Sequence, residues 1–152
     1  MQITSSTDTI LVSFPLDDGS FENLHSRRIN ADDYIIDNSP FYVYDISHGD
    51  TVTVEHRSGR VLFVSVKERG GHSTYRLRLA SGQTHNQFLI SSEQIRAHGC
   101  TFEGSGAGDQ RLYAIDVPPA ADIRKIYSLL EEGEERGEWE FEEAHFFKGY
   151  ES

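Results

Sequence analysis

The sequence predicts an α+β protein: a small antiparallel β unit over residues 1–70, leading into a ferredoxin-like β-α-β-β-α-β unit over residues 71–152, packed as one body. Three observations predict it. Up to Gly70 the chain carries short β-branched runs broken by turn signals, with no helical stretch. From Ser73 the patterns follow the order β-α-β-β-α-β. Within that series, Ile123, Ile126, Tyr127 and Leu130 form an apolar stripe at helical spacing.

In the first half, Thr9 to Phe14 places Ile10, Val12 and Phe14 on one face, and Asp17-Asp18-Gly19 turns the chain. Phe21 to Ile29 and Tyr34 to Asp37 are further strands, the second ended by Asn38-Ser39-Pro40. Thr51 to His56 alternates with Val52 and Val54 inward, and Arg57-Ser58-Gly59 turns it into Arg60 to Lys67. About six short strands predict a strongly bent sheet or barrel. In the second half, Ser73 to Ala80 is a half-buried strand, and Ser91 with Gln94 reads as the capping box of a short helix ended by Gly99. Cys100 to Glu103 and Arg111 to Val117 are strands. Leu112, Ala114 and Asp116 share one face of the latter. Pro118-Pro119 opens the striped helix, which Gly133 or Gly137 ends. Glu138 to Phe147 is a last strand with Trp139, Phe141 and Phe146 inward.

Composition narrows the function. Twenty-five acidic against fourteen basic residues give a net charge of −11, which opposes nucleic-acid binding and favours a basic partner. Mean hydropathy is −0.51 and apolar runs stop at four or five residues, far short of a membrane span. Met1 to Thr9 has no basic-then-apolar signal pattern, so the expected location is the cytoplasm. The single cysteine, Cys100, excludes an intrachain disulfide and a multi-cysteine zinc site, and reads as a small buried hydrophobe.

Five phrases resemble a bacterial family of domains of unknown function. They are the segments Ser39 to Asp50 (SPFYVYDISHGD), Gly71 to Arg76 (GHSTYR), Ala97 to Gly104 (AHGCTFEG), Ala114 to Pro119 (AIDVPP) and Gly137 to Glu143 (GEWEFEE). The resemblance runs from Thr9 to Phe147 and brings no catalytic residues. Some small families of this kind are encoded beside polymorphic toxins and act as immunity proteins, so that role is what the resemblance implies.

Several clusters invite a chemical reading. Gly104-Ser-Gly-Ala-Gly108 is followed by a strand, not a helix, so it reads as a hairpin loop and not a phosphate loop. Ser73 could serve as a nucleophile with a distant base such as His48 or His56, but its neighbour His72 diverges from it along an extended segment. His98 and Cys100, with His85 and His145 elsewhere, are too sparse for a zinc set. Asp17-Asp18 and Asp32-Asp33 with Asp37 sit in turns, where aspartate serves the backbone. No catalytic residue, metal or cofactor is therefore expected.

From Glu131 to the end, nine glutamates stand against Arg136 and Lys148, interleaved with Trp139, Phe141, Phe146, Phe147 and Tyr150. Aromatics favour interface cores, and a field of one sign steers a partner of the other. The expected function is an immunity- or antitoxin-like protein that binds a basic toxin through Glu131, Glu132, Glu134, Glu135, Glu138 and Glu143. The alternative is a small-ligand sensor or enzyme with a cleft between the halves, walled by Asp50, His72, Ser73 and Arg76.

Overall fold

Five strands, β1 (Thr9–Pro15), β2 (Phe21–Arg28), β3 (Asp33–Ile36), β4 (Thr51–Arg57) and β5 (Arg60–Glu68), close into a barrel in sequence order. The structure is a computed structural model that describes residues 9–106, 108–109 and 111–151. Met1 to Asp8, Ala107 of the glycine-rich loop and the Tyr150 side chain lie outside the described part. Strand alternation sends Val12, Phe14, Leu24, Tyr34, Ile36, Val52 and Val54 inward, with Ile10 packed at the margin. The β4–β5 turn is a two-residue connection in which Ser58 and Gly59 both take positive φ, as the right-handed strand twist requires.

The barrel has five strands in place of the expected six or so, and it is not antiparallel throughout. β1 meets β5 in parallel, at Val12–Val61 and Ser13–Leu62. The odd number is the cause: when successive strands alternate in direction, the first and fifth run the same way.

A four-stranded antiparallel sheet follows. β6 (Ser73–Leu79), β7 (Thr101–Ser105), β8 (Leu112–Val117) and β9 (Trp139–His145) lie in the order β7-β8-β6-β9, so β6 and β8 are central neighbours. Helices α1 (His85–Ser91), α2 (Glu93–Ala97) and α3 (Ile123–Glu135) cover one face. There Tyr75, Leu77, Leu79, Tyr113, Ile115 and Val117 pack against Phe88, Ile95, Ile126 and Leu130. Trp139 is buried among them and donates its indole N–H to the Leu130 carbonyl at 2.9 Å.

The helix boundaries differ from the sequence reading. The first helical stretch begins at His85, not after Ser91. Thr84 is its cap: its side chain accepts from the Gln87 N–H, and the Gln87 side chain returns to the Thr84 N–H. Ser91 is the last residue of α1 and its hydroxyl donates to Glu138, so the Ser91–Gln94 box does not form, and α2 starts without a side-chain cap. α3 starts on Asp122, whose carboxylate accepts from the Lys125 N–H, and not at Pro118-Pro119. Its buried stripe centres on Ile126 and Leu130 with Leu129, which leaves Tyr127 at the rim, 41% exposed. Gly133 is inside the helix, and Gly137, at φ +76°, follows its end.

Gly133 is there because of Trp139. A Cβ at this position would fall within the indole ring. Alanine is the better helix former by about 1 kcal/mol, yet overpacking a filled core typically costs about 1–3 kcal/mol. Gly133→Ala is therefore expected to lower stability in urea unfolding; an equal or higher midpoint would show that the ring moves aside freely.

Candidate functional site

The face of the sheet away from the helices carries Thr74, Arg76, Ala114 and Asp116, and residues 37–50 between β3 and β4 lie over it. Two buried charges hold that connection. Glu22 on β2 accepts the backbone N–H groups of Phe41, Tyr42 and Val43 at 2.6, 3.0 and 2.9 Å. Arg76 on β6 donates to the carbonyls of Pro40, Val43 and Tyr42 at 3.3, 2.9 and 3.4 Å, and to Glu142 at 3.0 Å. Its guanidinium also lies 4.6 Å from the Tyr44 ring centre. One short segment thus gives its donors to the barrel's carboxylate and its acceptors to the sheet's guanidinium.

Further along the connection, Ser47 is fully buried and bonds Thr74 at 2.6 Å and His145 Nδ1 at 2.7 Å. Asp50, equally buried, accepts from the backbone N–H of Ser47 and of Gly70 and from the Arg69 guanidinium. Burial, and then the positive charge of Arg69, hold the His145 imidazole below its ordinary value.

A second cluster borders solvent. His72 Nδ1 lies 2.8 Å and His48 Nδ1 3.3 Å from separate oxygens of Asp116, while His48 Nε2 lies 3.3 Å from Asp37. The two imidazoles meet edge to face at 5.1 Å. Two glycines bring them together. A Cβ at Gly70 would collide with the Gly49 carbonyl, and a Cβ at Gly49 would stand 3.0 Å from His72 Cδ2. Only bare backbones can approach this closely. The Asp116 carboxylate raises the His48 imidazole against the opposing effect of burial, with Asp37 adding to it. Burial works to raise Asp116, but the hydrogen bonds from His48 and His72 overcome it and keep that carboxyl below the usual range. Nearby Cys100 is buried, and burial and then Asp116 push its thiol up to about 12, so it stays protonated.

The four residues of the alternative cleft therefore separate. Asp50, Ser73 and Arg76 are buried and engaged with the protein's own groups, Ser73 by accepting the Phe147 N–H at 3.0 Å. His72 alone of the four reaches the histidine cluster. An apolar cleft of about 680 Å³ between the connection and the barrel is lined by Phe14, Tyr42, Ile46, Phe63 and others, and by none of the four. Among the described residues Ser73 bonds no histidine, and the serine–histidine contact Ser47–His145 is buried. His85 stacks on Tyr113, and His98 sits exposed at the end of α2, so neither joins Cys100 or His145. Asp33 is bound to Lys67, and Asp18 to Ser20 in its turn.

Of the acidic residues, Glu131, Glu132, Glu134 and Glu135 lie exposed on the last turns of α3. Glu134 accepts the Phe141 N–H, Glu138 pairs with Arg136 at 3.0 Å, and Glu143 accepts from Tyr75. The interleaved aromatics are mostly absorbed: Trp139 is in the core and Phe141 and Phe146 are half-buried against it. These three are the aromatics expected to face inward, and they pack against the core. Glu22 and the pairing of His48 with Asp116 are the features that sequence reasoning missed.

Fold and site define a mixed α+β protein in which a closed barrel and a helix-covered antiparallel sheet are joined through a buried polar seam. A family model for a domain of unknown function, DUF4265, matches residues 22–141, and the chain belongs to that family. A crystal structure of a hypothetical protein from Neisseria gonorrhoeae is similar, with a TM-score of 0.70 at 16% identity over 89% of this chain and 92% of that one. At that identity the likeness concerns the fold alone. A search of curated proteins finds no match. Among the described residues, no helix is long and apolar enough to cross a membrane.

Two outcomes test the seam. Arg76→Met strands the buried carbonyls of Pro40 and Val43 and the part-buried one of Tyr42, and the expected loss is about 3 kcal/mol in urea unfolding. Arg76→Lys should recover only part, since an ammonium cannot fork between them. A loss under about 1 kcal/mol for the methionine variant would mean that Glu22 holds the segment unaided. For His145 the lowered folded value fixes the sign. Its contribution is complete above the unfolded pKa of about 6.5 and is lost as pH falls through the folded value. Wild type should therefore lose stability relative to His145→Gln as pH drops below about 6.5; parallel profiles would contradict the assignment.

Proposed function

We propose that the protein is an acidic binding protein of the immunity or antitoxin kind, working in the cytoplasm by covering a basic bacterial toxin and not by catalysis. The observation that supports this most is the charge order of α3. Arg124 and Lys125 occupy its first turn and Glu131, Glu132, Glu134 and Glu135 its last turns, with no acidic residue within the first turn and no basic one within the last; only the caps, Asp122 and Arg136, carry the favourable signs. The charges within the terminal turns oppose the helix dipole, at about 0.3–1 kcal/mol for each unfavourable charge. Arg136, which pairs with Glu132 at 3.8 Å and with Glu138, relieves only part of this. A helix arranged against its own stability suits a surface kept for a partner. Glu138 follows just beyond the helix end, and the exposed Tyr127 lies one turn before Glu131, while Glu143 on the edge strand β9 sits beside Arg124 and Tyr127.

For the four-stranded sheet we infer a ferredoxin-like unit, a reading supported by the order β7-β8-β6-β9 with helices on one face. The second functional reading, a small-ligand sensor or enzyme, draws on one observation, the junction of His72 with His48 and Asp116.

Replacing Glu131, Glu132, Glu134 and Glu135 together by Gln separates an interface from a solvated surface. Association with a basic toxin domain encoded beside this chain should slow, and its salt dependence should flatten, because steering acts over a Debye length of ~8 Å at 0.15 M. Thermal stability should stay equal or rise. On-rates unchanged across a salt series would remove this face from the binding surface.

A further inference from the structure

We propose that His48, His72 and Asp116 form a binding site for a divalent transition-metal ion at the joint between barrel and sheet. The proposal is independent of the acidic face. It rests on convergence: three segments far apart in the chain each bring one donor side chain, and the three ligand atoms lie within 4.8 Å of one another. Around an ion with bonds of about 2.0–2.1 Å, ligand atoms stand roughly 3–3.5 Å apart. The imidazoles stand 2.8 and 3.3 Å from separate oxygens of Asp116, so one of these oxygens, or both, can share an ion with them once the side chains rotate.

The donors define the class of ion. Two imidazole nitrogens and one carboxylate oxygen suit zinc and its first-row neighbours, whereas calcium and magnesium prefer oxygen alone. Three protein ligands leave a coordination position open. The side chains of His48 and His72 are 35% and 19% exposed, so water or a small ligand can reach it.

The surroundings are built to hold the ligands still. Asp37 faces the far nitrogen of His48, where a carboxylate accepting that N–H would present Nδ1 to an ion. Gly49 rests against the His72 ring, and Gly70 against the Gly49 carbonyl, so the ring is fixed by packing and not only by its bond to Asp116. Asp116 itself is on a central strand. A simple pair of ion bridges to Asp116 would need neither the Asp37 contact nor the glycine packing.

The test uses the full chain, stripped with a chelator and titrated with ZnCl₂ by calorimetry and with CoCl₂ by visible absorption. One ion per chain is expected. His48→Gln, His72→Gln and Asp116→Asn should each weaken binding on the order of 100-fold or more, beyond the 10–100-fold typical of an outer-shell partner. Asp37→Asn and Gly49→Ala should fall within that smaller range. His98→Gln, at an exposed histidine elsewhere, should bind as wild type does. Binding that survives His72→Gln, or a wild-type stoichiometry well below one, would overturn the proposal. Should the ligand variants fail to fold, imidazole NMR of the wild type decides: zinc must shift the His48 and His72 resonances first, and shifts confined to His25, His56, His85 or His98 would reject the site.

Discussion

Residues 40–43 have no sheet ladder to satisfy them, and buried N–H and carbonyl groups must find partners. Glu22 supplies the acceptors and Arg76 the donors. Because one charge comes from the barrel and the other from the sheet, satisfying this stretch of backbone also fixes how the two sheets face each other. The rest of the connection inherits its position from that clamp. Ser47 reaches Thr74 and His145, Asp50 takes the N–H of Gly70, and His48 arrives beside Asp116.

The joint is thus polar where each half on its own is apolar. The barrel interior and the helix-covered face form two separate hydrophobic clusters. An apolar joint would tolerate sliding, since hydrophobic contact has no direction. A seam of directed bonds admits one docking. Losing any one partner strands another buried group, and this explains why Asp50, Ser73 and Arg76 serve architecture while His72, at the outer end of the seam, remains open to solvent.

Much of the fold was legible because it depends on short-range periodicity. Val12, Phe14, Val52 and Val54 alternate as strands do, and Ile123, Ile126 and Leu130 recur as a helix face does. The Thr84–Gln87 box was also present to be read. The Ser91–Gln94 pattern has the same form, and packing of Phe88 onto Tyr113 decides between them. The histidine cluster was legible only in fragments. In the sequence His48 and His72 read as separate reactive side chains, and Asp116 as part of a strand face. What joins them is a backbone-to-backbone approach of Gly49 and Gly70, which no periodicity encodes. Glu22 was hidden similarly, since a carboxylate with backbone partners resembles any surface glutamate in a strand. In the acidic end, strand alternation places Trp139 and Phe141 inward, but the slot that Gly133 opens for the indole is a contact between helix and strand that no local pattern shows.

The parallel meeting of β1 with β5 has a further consequence, for how the barrel is held closed. The hairpins β1–β2 and β4–β5 join neighbours in the chain and form long ladders across short loops. The barrel's closure joins Val12 to Val61, about fifty residues on, for a ladder of two residue pairs. Loop-closure entropy grows with the span enclosed, and so short a ladder offers little to offset it until Phe14 and Phe63 stack across the gap, 4.7 Å apart. Closure of the cylinder therefore encloses the longest span of any pairing in the barrel, and its two-pair ladder is reinforced by side chains, the Phe14–Phe63 stack and the hydrogen bond from Arg60 to Ser13.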